Sequence, residues 1–323
     1  MSVLARVAVA TAPASPEAAS FAGDVIAGLR ASPKRIPAKY FYDREGSRLF
    51  EEITRLPEYY PTRSEIEILR THARDIVQLI PAGAAMVEFG SGACIKMRIL
   101  LDAADKLLAY VPVDISADFL EQEAAGLRKA RPSLSVYPVG ADFTKPFTLP
   151  AAVKTLPHVG FFPGSTIGNF EPYEAAAFLR NAGQILGRGA LLIVGVDLEK
   201  DPAVLHAAYN DAAGITEKFN RNLLVRINRE LGGNFDLSKF EHHAFYNREQ
   251  HRIEMHLASI KRQKVRVAGT AIDFRAGETI HTENSYKYSP QSLAALARGA
   301  GWNPVAMWTD AQNYFAVHAL TFG

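Results

Sequence analysis

Between residues 86 and 196, short apolar runs alternate with segments of helical period, and few folds accommodate that order. Strands are expected at 86–89, 110–113, 134–139, 159–162 and 190–196, with helices between most of them. Continuous apolar runs of this length suit strands buried on both faces, and helical connections make neighbouring strands parallel. The expected class is therefore α/β, with a doubly wound parallel sheet. Such sheets bind ligands outside the carboxyl ends of their strands, where the strand order reverses. Three loops fall at those ends: residues 90–96, Asp142-Phe143, and Gly164-Ser165-Thr166-Ile167-Gly168-Asn169.

The first of these loops carries Glu88-Phe89-Gly90-Ser91-Gly92-Ala93-Cys94-Ile95-Lys96. A tight glycine turn at a strand end lets a ligand come close to backbone N–H groups. Asp114, twenty-four positions past Gly90, ends the next apolar run and can accept both hydroxyls of a ribose. By itself the pattern fits a nicotinamide dehydrogenase, a methyltransferase or an ordinary strand–helix turn. Two details tilt the choice. Ile95 stands where the third glycine of a dinucleotide fingerprint belongs, and Glu88 sits one residue inside the strand end, as in the first motif of S-adenosylmethionine (SAM) methyltransferases.

Length and composition narrow the field further. A chain of 323 residues, 48% hydrophobic and 22% charged, has enough material for two domains and a large core. Its 36 basic and 34 acidic residues give no reason to expect nucleic acid or an anionic membrane as a partner. One cysteine excludes an internal disulfide and a Cys-rich zinc site, and no apolar run reaches membrane-spanning length. Residues 3–12 resemble a signal peptide faintly. Arg6 interrupts them and no basic segment precedes them, so a tail and a cytoplasmic monomer are expected.

In chain order, Ser15-Pro16-Glu17 starts a helix with Phe21, Val25, Ile26 and Leu29 on one face. A second short helix carries Leu49, Phe50, Ile53 and Leu56. Thr62-x-x-Glu65 reads as a capping box opening the next helix. Beyond residue 196 the alternation stops. Residues 202–231 read as one long helix, followed by a meander at 240–247, 252–259 and 264–268. Ser289-Pro290 caps a last helix, and strands at 305–308 and 314–320 close the chain. The meander and long helix are expected to form an insertion that packs with the N-terminal part.

Several longer stretches carry a resemblance. They are Tyr40-Phe41-Tyr42-Asp43, the run from Leu56 to Arg63, Glu88-x-Gly-Ser-Gly-x-x-x-Lys96, Gly164-Ser-Thr-Ile-Gly-Asn169, the run from Ala212 through Thr216 to Asn222, and Arg252-Ile-Glu-Met255. From about residue 20 to the C-terminus the chain resembles the histidine-specific SAM-dependent methyltransferases of ergothioneine biosynthesis. The resemblance implies a Rossmann-like class I methyltransferase sheet with a second, discontinuous α+β substrate domain. The corresponding boundaries are 1–63 and 199–288 for the substrate domain, with 64–198 and 289–323 for the methyltransferase core. It implies transfer of three methyl groups from SAM to the α-amine of L-histidine through the mono- and dimethyl forms, giving hercynine and S-adenosylhomocysteine (SAH).

Residue roles follow from the same resemblance. Gly90 and Lys96 would line the SAM site, Asp114 would take the ribose hydroxyls, Asp142 and Phe143 would hold the adenine, and Tyr42 would sit near the transferring methyl. Tyr59, Gly164, Asn169, Tyr209, Thr216, Met255, Glu283 and Ser285 match the histidine-binding pattern, with Tyr42 and Asn169 nearest the chemistry. The chain departs from the pattern in Phe89, in Cys94-Ile95 and in Tyr286, which stands where a smaller residue is common.

Each assignment has a plainer reading. Asp114 alone is an ordinary strand-end acid. Lys96 lies in the first turn of a helix, where anions rather than cations are favoured; it could be a plain surface lysine, or hold the methionyl carboxylate or a nearby acid. Asn169 could cap the helix that follows, Met255 could be a core residue, and Glu283 could pair with Lys287. Cys94 has no histidine arranged to activate it. His242, His243, His251, His256 and His281 lack metal-ligand spacing, so no metal is expected. The rival functions are the same fold acting on another amino acid or small amine, and a SAM-binding module without catalysis.

Overall fold

A computed structural model of the protein describes residues 16–92, 95–115 and 117–323, without the side chains of 16–19 and 117–119. The expected tail, its cap Ser15, and Cys94 lie outside the described residues. Helix α1 (Pro16–Arg30) leads to the two-residue strand β1 (Lys34–Arg35), then to helices α2 (Arg44–Ile53) and α3 (Tyr60–Gln78). Next come β2 (Ala85–Phe89), α4 (Ile95–Ala103), β3 (Ala109–Asp114), α5 (Ala117–Ala130), and the short strands β4 (Ser135–Val136) and β5 (Val139–Gly140). The strand β6 (His158–Phe162), helix α6 (Pro172–Leu186) and strand β7 (Leu191–Asp197) follow, then helices α7 (Pro202–Tyr209) and α8 (Ile215–Leu231). A run of strands comes next: β8 (Phe240–Asn247), β9 (Arg252–Ser259), β10 (Gln263–Val267), β11 (Thr270–Phe274) and β12 (Thr279–Tyr286). Helix α9 (Pro290–Gly299) and strands β13 (Trp302–Thr309) and β14 (Phe315–Phe322) end the chain.

Backbone packing divides these elements into two units. The larger holds residues 50–216, 244–254 and 284–323; the smaller holds residues up to 49, 217–243 and 255–283. These cuts fall at other positions than the breaks expected at 63/64, 198/199 and 288/289. Tyr59 packs edge-on to Phe50 and Tyr209, and Tyr60 bonds Asp197, which keeps these early residues with the sheet. Arg252 on the second meander strand pairs with Glu171 at the start of α6, which brings the hairpin tip along.

The larger unit is built on an eight-stranded sheet, counted among the described residues, in the order β13-β14-β7-β6-β2-β3-β4, with β5 also pairing with β3. Strands β7, β6, β2, β3 and β4 run parallel, and β14 and β13 are antiparallel additions. Every residue of β2 is buried, as a central parallel strand requires. Alternation sends Val87 and Phe89 into one core with Phe162, Phe178 and Trp302. It sends Met86 into the other with Leu69, Met97, Leu100 and Phe161. From β2 the chain builds outward to β3 and β4, then returns to place β6 on the other side of β2. The order therefore reverses between β2 and β6.

The smaller unit contains α1, α8, most of the sheet β1-β12-β9-β8, and the hairpin β10-β11. Strand β11 was missed in the sequence. Ala268 and Gly269, both at positive φ, form the two-residue turn that pairs it with β10. Three further expectations need correction. The long helix over 202–231 breaks at residues 210–214. The Asp211 carboxylate accepts the Ile215 and Thr216 N–H groups, each at 2.8 Å, and so caps a new helix. The strand over 134–139 is two short pieces. Thr62-x-x-Glu65 caps nothing, because α3 already begins at Tyr60 with proline in its first turn. Among the described residues, no helix is long and apolar enough to cross a membrane.

One core residue has a pH consequence. His318 on β14 is buried, its Nε2 has no hydrogen-bond partner among the described residues, and burial pushes its pKa down to about 4. The unfolded chain regains the ordinary value of about 6.5. As pH falls through that window, only the unfolded chain takes up the proton, so stability falls by roughly 3 kcal/mol in all. Urea melts of wild type and His318→Leu from pH 7 to 4.5 should show the wild type losing more stability; parallel curves would contradict this.

Candidate active site at the carboxyl edge of the sheet

The carboxyl ends of β2, β3 and β5 bring together the residues expected to hold a cofactor. Gly90 turns away from β2 at φ +74°, and a Cβ there would meet the Phe143 ring at 3.3 Å. Only glycine gives both that backbone and that approach. The Gly90 and Ser91 N–H groups bond the Val113 carbonyl, which ties the turn to the end of β3. Asp114 ends β3 half-buried, and its carbonyl accepts the Ala141 N–H, which places Asp142 and Phe143 alongside. Asp142 is held by its own turn: Oδ1 accepts the Thr144 N–H at 3.1 Å and the Thr144 hydroxyl at 2.5 Å. Below the turn, buried Glu88 accepts hydrogen bonds from Ser91 and Tyr110. Burial outweighs these bonds and raises its carboxyl to about 7. The glycine turn, the strand-end acid and the aromatic beside it fit a nucleoside with a ribose at Asp114.

Across the reversal point lies the Gly164–Asn169 loop. Glu65, wholly buried on α3, accepts the Gly164 N–H at 3.0 and 2.9 Å and pairs with Lys96 of α4 at 2.5 Å. Lys96 thus meets a nearby acid, one of the readings its position left open. A Cβ on Gly195 would lie 2.1 Å from the Glu65 carboxylate, so glycine at the core of β7 makes room for the pair. The Gly164 N–H is thus engaged. Asn169 ends the following turn half-buried. It is not the cap of α6, because Glu171 fills that position with both capping-box bonds.

Behind this loop, the strand-end acid Asp197 organises a buried polar cluster. Asp197 accepts from Tyr60 at 2.8 Å, Lys200 at 2.5 Å and Lys287 at 2.7 Å, and its N–H donates to Ser165. Two ammonium groups share one carboxylate. The carboxylate stays below its usual range, whereas burial drops Lys200 to about 8. Lys287 also donates to the Ser285 hydroxyl at 2.7 Å, and the Tyr209 hydroxyl donates to the same oxygen at 2.7 Å. Ser285, Tyr209 and Lys287 are all buried.

The remaining assigned residues distribute as follows. Tyr59 is half-buried with its ring 6.4 Å from that of Tyr209, and Thr216 is buried in the first turn of α8. Tyr42, Met255 and Glu283 belong to the smaller unit. There Tyr42 is 37% exposed and edge-on to Phe219, Met255 is buried, and Glu283 is half-buried on β12. Tyr286 donates to Glu171 at 2.6 Å and stacks with Arg252, on the side of β12 opposite Ser285. His256 and His281 stack with ring centroids 4.6 Å apart and hydrogen-bond to Thr279 and the Glu283 carbonyl.

The buried ion pairs made by Glu65, Asp197, Lys200 and Lys287 were not expected from the sequence. Two signals were present. Glu65 lies on the apolar face of its helix with Ile68, Leu69 and Ile76, where a charge needs a buried partner. Asp197 ends an apolar strand just as Asp114 does.

A parallel sheet with an antiparallel hairpin at one edge, a glycine turn after β2 and a half-buried acid at the end of β3 define a SAM-dependent methyltransferase of class I fold. Residues 21–322 match the family described as "Histidine-specific methyltransferase, SAM-dependent", and the chain belongs to it. It is similar to histidine N-alpha-methyltransferases of Mycolicibacterium smegmatis, at 44% identity over 91% of this chain and 92% of that protein. For the Mycobacterium tuberculosis protein of the same name the figures are 42%, 91% and 92%. Ergothioneine biosynthesis protein 1 of Neurospora crassa is 34% identical over 89% of this chain and 33% of its own length.

Asp114→Ala is expected to weaken SAM binding by about 1–3 kcal/mol, because two ribose hydroxyls lose their acceptor. Calorimetry giving an unchanged affinity, or tight binding of NAD to the wild type, would contradict the assignment.

Proposed function

We propose that the protein transfers three methyl groups in succession from SAM to the α-amine of L-histidine, giving Nα-trimethylhistidine (hercynine) at the start of ergothioneine biosynthesis. One observation carries the reading. A single buried carboxylate, Glu65, joins the helix behind the cofactor turn, through Lys96, to the loop assigned to the amino acid, through Gly164. A methyl donor on the first loop and an acceptor on the second would thereby be held at a fixed separation. The similarity to histidine N-alpha-methyltransferases supports the choice of nitrogen.

SAM supplies an electrophilic methyl, so the protein's part is to hold, orient and desolvate. Gly90, Asp114, Asp142, Phe143 and Lys96 are the residues to hold the cofactor. Tyr59, Gly164, Asn169, Tyr209, Thr216, Met255 and Ser285 are assigned to the amino acid, with Glu283 on its ring. Asn169 and Tyr42 are assigned to the amine, which must arrive as the free base to attack. Glu283 and Ser285 are alternate residues of one strand and so share a face.

Product NMR tests the reading. Incubation of L-histidine with SAM should give mono-, di- and trimethyl forms with every methyl on the α-nitrogen. A methyl on the ring would overturn it.

A further inference from the structure

We propose that Lys287 is a positioning residue for the substrate ring, fixing the Ser285 hydroxyl as a hydrogen-bond donor so that the site takes neutral imidazole and rejects imidazolium. The proposal rests on the reading of Ser285 as a ring contact. A serine hydroxyl has one proton and two acceptor lone pairs. At Ser285 the acceptor side is filled, by Lys287 at 2.7 Å and by Tyr209 at 2.7 Å. An ammonium only donates, so the bond from Lys287 has one possible direction. Lys287 itself is locked: its remaining N–H groups point to Asp197 at 2.7 Å and towards the Tyr209 hydroxyl at 3.4 Å. The single Ser285 proton is left to face whatever the site holds, and its partner must be an acceptor. A neutral imidazole has one such nitrogen, and imidazolium has none.

Charge acts in the same direction. Lys287 and Lys200 share Asp197, so the cluster carries one positive charge in excess at direct contact. The other groups facing it are Tyr60 and Tyr209 by hydrogen bond, with Tyr246 near Lys287 and Asp310 near Lys200 at longer range. A buried cation one hydroxyl away from the ring opposes a second positive charge there and offsets the Glu283 carboxylate assigned to the other ring nitrogen.

The test uses L-histidine labelled with ¹⁵N in the ring, bound to the protein with SAH, by NMR and calorimetry from pH 5.5 to 7.5. In the wild type the bound ring should stay neutral where the free ring, with a pKa of about 6.5, is mostly protonated. Its affinity should then fall about tenfold per pH unit below that value. In Lys287→Met the Ser285 hydroxyl is released to rotate and the excess charge is gone. Affinity at pH 7.5 should drop on the order of 10- to 100-fold, equivalent to about 1.4 kcal/mol per decade, and the low-pH slope should flatten. The α-amine titrates alike for both proteins, so the difference in slope isolates the ring. Lys287→Met retains Lys200 on Asp197, and SAH affinity near that of wild type will show that it folds. Should it not fold, Lys287→Gln takes its place in the same titration.

A doubly protonated bound ring in the wild type, or a loss in Lys287→Met that is the same at every pH, would overturn the proposal. Ser285→Ala separates the two levels. Unchanged histidine affinity and slope in that variant would remove Ser285 as a ring contact and the proposal with it. A flattened slope there, with an unflattened one in Lys287→Met, would remove only Lys287.

Discussion

Replacing Glu283 by alanine is expected to lower kcat/KM for histidine by roughly 30- to 1000-fold while activity on phenylalanine and tryptophan holds or rises. Glu283 is half-buried on β12, and an ionised carboxylate is an acceptor suited to a ring N–H. Charge-assisted bonds of this kind are the strong ones. Losing one partner in a desolvated site costs on the order of 2–4 kcal/mol, which at about 1.4 kcal/mol per decade gives the range above. The same carboxylate opposes an apolar ring that cannot satisfy it, so its removal should relax selectivity. The plainer reading paired Glu283 with Lys287, but the Lys287 ammonium spends its donors on Asp197, Ser285 and Tyr209. Measuring kcat/KM for the three amino acids in both proteins decides between the readings, and an unchanged histidine-to-tryptophan ratio would sink the assignment.

Asp197→Ala is expected to be among the most destabilising single changes in the larger unit. The side chains of Asp197, Lys200 and Lys287 are each no more than 4% exposed, and the carboxylate is the direct counter-charge to both ammonium groups. Removing it strands two buried cations and the Tyr60 hydroxyl. Breaking a buried pair in this way costs about 3–5 kcal/mol. For a unit of this size each kcal/mol lowers Tm by about 2–4 °C, so a fall of roughly 10 °C is expected. Lys200→Met or Lys287→Met leaves a balanced pair and should cost less. A thermal melt ranking either lysine variant below Asp197→Ala in stability would show that the charge balance is misassigned.

The sheet was legible in the sequence because its strands are buried on both faces and read as plain apolar runs. The glycine turn was legible because Gly90 holds a positive φ that glycine adopts most readily. What escaped was set by partners distant in sequence. Glu65 resembled the last residue of a capping box because nothing local tells that its partners are Lys96 and Gly164. Asp197 and Lys287 stand 90 positions apart and make sense only once β7 and the end of β12 are in place. The helix break at Asp211 was hidden because Tyr209 and Ile215 keep the apolar pattern going across a short loop. Tyr286 looked like a departure beside Glu283, yet strand alternation turns it to Glu171 instead.

The central claim, that this fold methylates histidine, is tested most directly by incubating the protein with methyl-labelled SAM and each of the twenty amino acids separately. The account predicts that histidine alone accumulates label, ending with three methyl groups. Label on another amino acid in preference to histidine, or on none, would contradict it.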